Sequence, residues 1–350
     1  MTGDGRRRHR LLLLYRRMMR GRAGAIGFAL LVAVSAMTGC SPQPGADDWV
    51  LTPVRYDNRM EGETGRPDLI DVTFPMGVTS DTAGGFWGFS SGSWVHIDVD
   101  GETVRRFNLD GGAPRGPVAA ISPTVLVLSE EWAGTGIAGR LVVFDTEEMT
   151  WTELHRDTRP LGGIAVADED VYFVAHALGS EAMTVERLPL DGGEPPVAVT
   201  APVPEIGPSA LAVGGDGRIH LATQGARYTF DPEGTLQETA ELSGAFPAVA
   251  ANGRGDTAWS GQGASDRHLP AFVDGGSEQA RSIIESVCTQ ASHGREVSTV
   301  HQIDVVMRGE RSPLPLLCAP TGYTWLTDDE LLISVGGEGG GVLVRADPPH

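Results

Sequence analysis

The distribution of hydrophobic positions divides the chain into stretches of different kinds. From Ala23 to Met37 the residues are apolar almost without interruption. Ahead of them lie Arg6, Arg7, Arg8, Arg10, Arg16, Arg17, Arg20 and Arg22, with one acid, Asp4. Residues 41–66 are rich in Pro, Gly, Asp and Arg and show no sustained apolar period, the composition of a tether. From about Asp68 onward, short apolar runs are separated by turns of Gly, Pro and Asp, a pattern that predicts β-strands. No long segment there carries a helical period; Gln279 to Val287 comes nearest. The expectation is an all-β domain.

The runs recur. Phe86-Trp87-Gly88-Phe89 leads through Gly92 to Trp94-Val95-His96-Ile97, then Asp100-Gly101, then Val104-Arg105-Arg106-Phe107. Ile219-His220-Leu221-Ala222 leads in the same way to Arg227-Tyr228-Thr229-Phe230 and Glu233-Gly234. Taking Phe86, Val125, Val171, Ile219 and Ala258 as equivalent strand starts gives steps of 39, 46, 48 and 39 residues, then 73 to Leu331. A period near 40 with several strands per unit is the pattern of a β-propeller, in which no blade buries both faces alone but a closed ring does. The last step has room for one further degenerate unit, so the expected ring has six four-stranded blades, or seven. A β-sandwich is the runner-up, which the period and the length of the repeating region disfavour.

Within the units a strand of small residues precedes each turn: Val118-Ala119-Ala120-Ile121, Gly163-Ile164-Ala165-Val166, Ala210-Leu211-Ala212-Val213 and Ala248-Val249-Ala250-Ala251. Small side chains suit the innermost strand, where blades crowd the axis. The pattern resembles the six-bladed TolB-like and SMP-30-like propellers over most of residues 69–349. Leu69-Ile70-Asp71-Val72-Thr73-Phe74 is then expected to complete the blade that contains Val342-Leu343-Val344-Arg345, joining the chain ends. The organisation expected is a signal peptide over residues 1–39, a lipid-anchored linker over 40–67, and the propeller over 68–350.

The N-terminal expectation rests on Met37-Thr38-Gly39-Cys40, which resembles the bacterial lipobox, with Met37 where that motif usually has Leu. An apolar run of this length is short for a membrane span of ~20 residues but suits a signal-peptide core. Ser41-Pro42-Gln43-Pro44-Gly45 cannot continue a helix. A start at Met18 or Met19 would leave a signal of ordinary length. The resemblance implies that Cys40 carries lipid, diacylglycerol with further acylation, and that the domain faces the outside of the cell membrane. Removing residues 1–39 takes away eight of the 27 basic and one of the 46 acidic residues, leaving 19 Arg against 45 acids, a balance of −26. So acidic a surface repels nucleic acid and anionic head groups, so the lipid on Cys40 is the expected attachment to the membrane.

The chain contains no lysine. Walker-type phosphate loops, pyridoxal Schiff bases, kinase chemistry and Ser-Lys hydrolysis all need one. Gly88-Phe89-Ser90-Ser91-Gly92 matches the G-x-S-x-G elbow, but it stands between two strand patterns, with no room for the helix an elbow requires. Arg254-Gly255-Asp256, an adhesion tripeptide, reads more economically as part of a turn from Asn252 to Asp256. Asp98-Val99-Asp100-Gly101 lacks the acids of a calcium loop. It is expected to be a turn, as are Asp231-Pro232-Glu233-Gly234, Asp168-Glu169-Asp170 and Asp328-Asp329-Glu330.

The SMP-30-like lactonases hold a divalent metal in the channel with Glu, Asn and Asp. Here Asn58, Asn108 and Asn252 fall on no predicted inner strand. His96, His155, His176, His220, His268, His293 and His301 show no zinc spacing. The tryptophans are expected to pack blade against blade. No catalytic constellation and no cofactor is expected. The resulting expectation is a binding or scaffold module for a protein, peptide or envelope glycan. Its competitor is a metal-dependent lactone or ester hydrolase with a site in the channel.

Cys288 and Cys318 complete the cysteine inventory. An even pair in an exported domain is most simply a disulfide, with two separate buried thiols as the alternative. Closing a loop of about 30 residues stabilises a fold by roughly 3–4 kcal/mol on the chain-entropy account. Both cysteines should resist alkylation in the native exported protein and react only after reduction. Two free thiols in the non-reduced, denatured mature chain would disprove the pairing.

Overall fold

A computed structural model describes residues 49–54, 75–90, 93–101, 103–108, 116–130, 139–179, 181–205, 207–242, 247–262, 301–316, 320–337 and 340–349. The chain divides into two units, 1–45 and 46–350, and every described residue belongs to the second. Cys40, Cys288 and Cys318 lie outside the described residues, as do Leu69 to Phe74 and the weak helical pattern from Gln279 to Val287.

The first strand, β1 (Val50–Pro53), belongs with the last ones. Blade 1 is β2 (Pro75–Ser80), β3 (Phe86–Ser90), β4 (Ser93–Ile97) and β5 (Thr103–Asn108). Blade 2 is β6 (Val118–Ser122), β7 (Val125–Glu130), β8 (Arg140–Asp145) and β9 (Thr150–Arg156). Blade 3 is β10 (Leu161–Ala167), β11 (Asp170–His176), β12 (Met183–Pro189) and the short β13 (Val197–Ala198). Blade 4 is β14 (Ala210–Val213), β15 (Ile219–Ala222), β16 (Ala226–Phe230) and β17 (Leu236–Glu241). Blade 5 is β18 (Val249–Ala251), β19 (Thr257–Gln262), β20 (His301–Met307) and β21 (Glu310–Leu316). Blade 6 takes β22 (Pro320–Thr327), β23 (Glu330–Gly337) and β24 (Gly340–Asp347) from the C-terminal end and β1 from the other end.

All six sheets are four-stranded and antiparallel, each in simple up-and-down order. The chain is a six-bladed β-propeller. The seventh unit allowed by the spacing is not needed: the long final step arises because residues 263–300 intervene between β19 and β20, whose ends still pair, Gln262 opposite His301.

Ring closure differs from the expectation. The closing strand is β1, running antiparallel to β24 from Val50 opposite Asp347 to Pro53 opposite Val344. It lies within the stretch whose composition reads as tether. Alternation explains it: Trp49 and Leu51 are buried in the cluster between blades 5 and 6 while Val50 and Thr52 are half-exposed. Trp49 Nε1 also donates to Ser312 Oγ of blade 5 at 3.2 Å.

The small-residue strands are the inner ones, as expected: β6, β10, β14 and β18 each begin a sheet and line the axis. Their approach is close. A side-chain carbon on Gly163 would stand 2.7 Å from Leu211 N and 2.8 Å from the Ala210 backbone in the next blade. Large aromatics fill the wider space outside. Trp87 donates through Nε1 to Pro123 O of blade 2 at 3.0 Å, and Trp94 meets Phe144 edge-on at 5.6 Å. Each inner strand starts at one face of the ring, here called the mouth face, and ends in a tight turn at the other, the turn face.

Gly163→Val should jam blades 3 and 4 and destabilise the ring by about 1–3 kcal/mol, the usual cost of overpacking. Gly77→Ala, where an added carbon meets nothing within 4 Å, should leave stability within ~0.5 kcal/mol. Urea midpoints of the two variants compare them directly; equal midpoints would refute the crowding argument.

Candidate functional site

The inner strands enclose a cavity of about 350 Å³ at the mouth face, where Gly116-Pro117, Gly163, Pro208-Ser209, Pro247-Ala248 and Thr321-Gly322 open their strands. None of its lining residues is ionisable at neutral pH. Its polar side chains are Ser209, Thr321 and Tyr323. All three are engaged in the ring. Ser209 Oγ accepts from Gly163 N at 3.1 Å, tying blade 4 to blade 3. Tyr323 donates to Ala248 O at 2.7 Å, tying blade 6 to blade 5. Thr321 donates to Ser334 Oγ at 2.9 Å. Burial holds the Tyr323 phenol well above its usual range, so it remains a neutral donor.

Behind this wall lies His176, buried, with no hydrogen-bond partner on either ring nitrogen. Gly162 makes room for it, since a side-chain carbon there would collide with Ser209 Oγ and stand 3.2 Å from His176 Nε2. Burial depresses the imidazole pKa, so His176 is neutral near pH 7. Nearby, the crossover from blade 2 to blade 3 is pinned by charge. Arg159 binds Glu186 through Nη1 at 2.6 Å and Nη2 at 2.9 Å, and binds Asp157 through Nη2 at 2.6 Å. Burial pushes the Asp157 carboxyl up, but its bonds to Arg159 outweigh that and hold it below the usual range.

The motifs singled out in the sequence fall elsewhere. Ser90 ends β3 and pairs with Ser93 of β4 in a hairpin, as its context predicted, while Ser91 and Gly92 lie outside the described residues. The Arg254-Gly255-Asp256 segment is a turn, and its aspartate is spent inside the protein. Asn252 Oδ1 accepts from Arg254 N at 3.0 Å and from Asp256 N at 2.9 Å. Asp256 itself accepts from Arg308 N at 2.7 Å and is buried. Asn252 thus stands on the turn face, at the far end of β18 from the cavity. Asn108 ends the outer strand β5, and Asn58 lies outside the described residues. Asp98 to Gly101 and Asp168-Glu169 form turns, with Gly101 at φ 83° and Asp168 at φ 53°. Among the described residues no three His, Cys, Asp or Glu side chains gather as a metal would need.

Sequence reasoning missed Asp81. It caps the β2–β3 turn, accepting from Ala83 N and Gly85 N at 2.8 Å each, and lies 2.8 Å from His96 Nε2. The His96 ring stacks on Trp87 at 4.7 Å. The signal was present in the parallel with Asn252, which stands at the same point of its own blade. Both precede their second strand by five residues.

No family model and no curated protein matches the chain. Among solved structures it is similar to a gluconolactonase of Xanthomonas campestris, at 12% identity and TM-score 0.48, covering 88% of this chain and 99% of that one. A calcium-binding regucalcin of Agrobacterium tumefaciens is similar at 10% identity and TM-score 0.48, over 80% and 93% of the two chains. A protein of unknown function from Bacteroides thetaiotaomicron is similar at 11% identity and TM-score 0.48, over 85% and 76%. Likeness at this level concerns the fold alone.

His220 provides a pH test of the buried polar groups. It packs edge-on against Trp259 at 5.6 Å, Nε2 lacks a partner, and burial pushes its pKa down from 6.5 to about 4. The unfolded chain therefore takes up a proton that the folded chain refuses. Stability is full above about pH 6.5 and falls as pH drops toward 4, by on the order of 3 kcal/mol for this residue. Urea titrations at pH 7 and pH 4 should show the loss, with a smaller loss in His220→Leu. An equal loss in both proteins would rule out His220 as a source.

Proposed function

We propose that this chain is a lipid-anchored, extracytoplasmic binding module whose mouth face takes a protein, peptide or envelope-glycan ligand. The cavity wall carries this reading. Glycine, proline and apolar side chains, among them Phe89 and Ile164, with three committed hydroxyls can enclose an uncharged group, but they offer no acid or base to move its protons. A volume of about 350 Å³ is at the small end of ligand sites, enough for one side chain or one sugar ring. Most of the recognition then falls to the rim of the mouth face. The anchor is supported by the arginine-rich flank, the apolar run and Met37-Thr38-Gly39-Cys40.

Two measurements test the halves of the proposal. Metabolic labelling with a fatty acid should mark the wild type, and Cys40→Ser should leave the membrane fraction; an unlabelled wild type would end the lipoprotein reading. For the binding half, muropeptides and envelope oligosaccharides should raise the melting temperature of the mature protein. Thr321→Trp, at the exposed rim of the cavity, should abolish that rise while leaving the urea midpoint near that of the wild type. Turnover of lactones or esters that needs an added divalent metal and is lost in Thr321→Trp would instead favour the hydrolase.

A further inference from the structure

The direction of β1 fixes how an anchored ring can stand. β1 enters at Val50, opposite Asp347, the last residue of β24, and leaves at Pro53 toward the mouth face. Val50 shares a surface cleft with Arg308, Asp329 and Asp347, all at the turn face. Trp49 is buried, so the chain is held by the ring from that residue onward. Cys40 precedes Trp49 by nine positions. Nine positions reach at most ~30 Å even when fully extended. A compact domain of this size is ~50 Å across, so the tether is short relative to the body it holds.

We infer that in the anchored protein the turn face looks toward the bilayer and the mouth of the channel looks away from it. The inference rests on the lipid at Cys40 proposed above. Bringing the mouth to the lipid would require the ring to turn over on a tether stretched to its limit. The channel is thus presented to ligands outside the membrane, not to lipid.

Charge adds a second feature. Every blade places an exposed acid on the turn face, Asp100, Glu148, Glu169, Glu233, Glu310 and Asp329, and although Asp329 pairs with Arg254 at 2.6 Å the acids there outnumber the arginines. Anionic head groups repel such a face within a Debye length of about 8–10 Å. The ring therefore stands off the surface at the length of its tether, and magnesium ions, by screening both surfaces, draw it closer.

The lipidated full chain in phosphatidylglycerol–phosphatidylethanolamine vesicles tests this. A donor fluorophore placed by azide chemistry at position 233 (turn face, blade 4) or 224 (mouth face, blade 4) reports energy transfer to head-group acceptors. Transfer should be several-fold greater from position 233, and magnesium should raise it there. Inserting twenty flexible residues between Gly45 and Ala46 should erase the difference. Equal or greater transfer from position 224, or a difference that survives the insertion, would overturn the orientation while leaving the anchor intact. Failure of the purified chain to carry lipid would remove the anchor itself, a distinguishable result.

Discussion

A propeller holds together only if its last blade is complete, and here four residues from the far end of the chain complete it. Without β1, the edge of β24 would offer unpaired amides and carbonyls to any passing strand. The cluster containing Trp49, Leu51, Tyr323, Trp325, Ile333 and Val344 would also lose one wall. Tyr323 belongs both to that cluster and to the cavity lining, so closure and channel shape are coupled through a single side chain. The bond from Trp49 to Ser312 extends the clasp to blade 5, so closure is an interaction between neighbouring blades as well as a strand pairing.

Much of this architecture was legible in the sequence because each blade repeats the same local solution. Phe86, Val125 and Ile219 are the first residues of their strands, and Val171, Ala258 and Leu331 lie one residue inside theirs. The small-residue strands announce themselves because only small side chains fit where blades converge. The closing strand was illegible for the opposite reason. Val50–Pro53 is short, is flanked by Asp47, Asp48 and Arg55, and becomes a strand through a partner almost three hundred positions away. The final step of the repeat misled in a similar way, since spacing alone does not distinguish a hidden blade from an insertion within a hairpin.

The polar interior was the least legible part. Nothing in the sequence showed that His96, His176 and His220 are buried. Nor does sequence show that Arg159 reaches Glu186 or that Asn252 reaches Asp328, contacts spanning 27 and 76 positions. Acids gather in the tight turns of the opposite face, and the cavity wall consists of backbone, apolar side chains and the hydroxyls of Ser209, Thr321 and Tyr323.

The pairing of Gln262 with His301 has a consequence for how such a chain can change over time. Because Gln262 and His301 already meet in the ladder of blade 5, on the mouth face, that pairing does not itself depend on how many residues lie between them. Loop-closure entropy grows only as the logarithm of length. A change of length there therefore costs the ladder little as long as Cys288 and its expected link to Cys318 are kept, whereas a single extra carbon at Gly163 meets backbone at once. Variation among descendants of this sequence should accumulate at that junction, beside the channel opening, where new specificities can arise without rebuilding the ring.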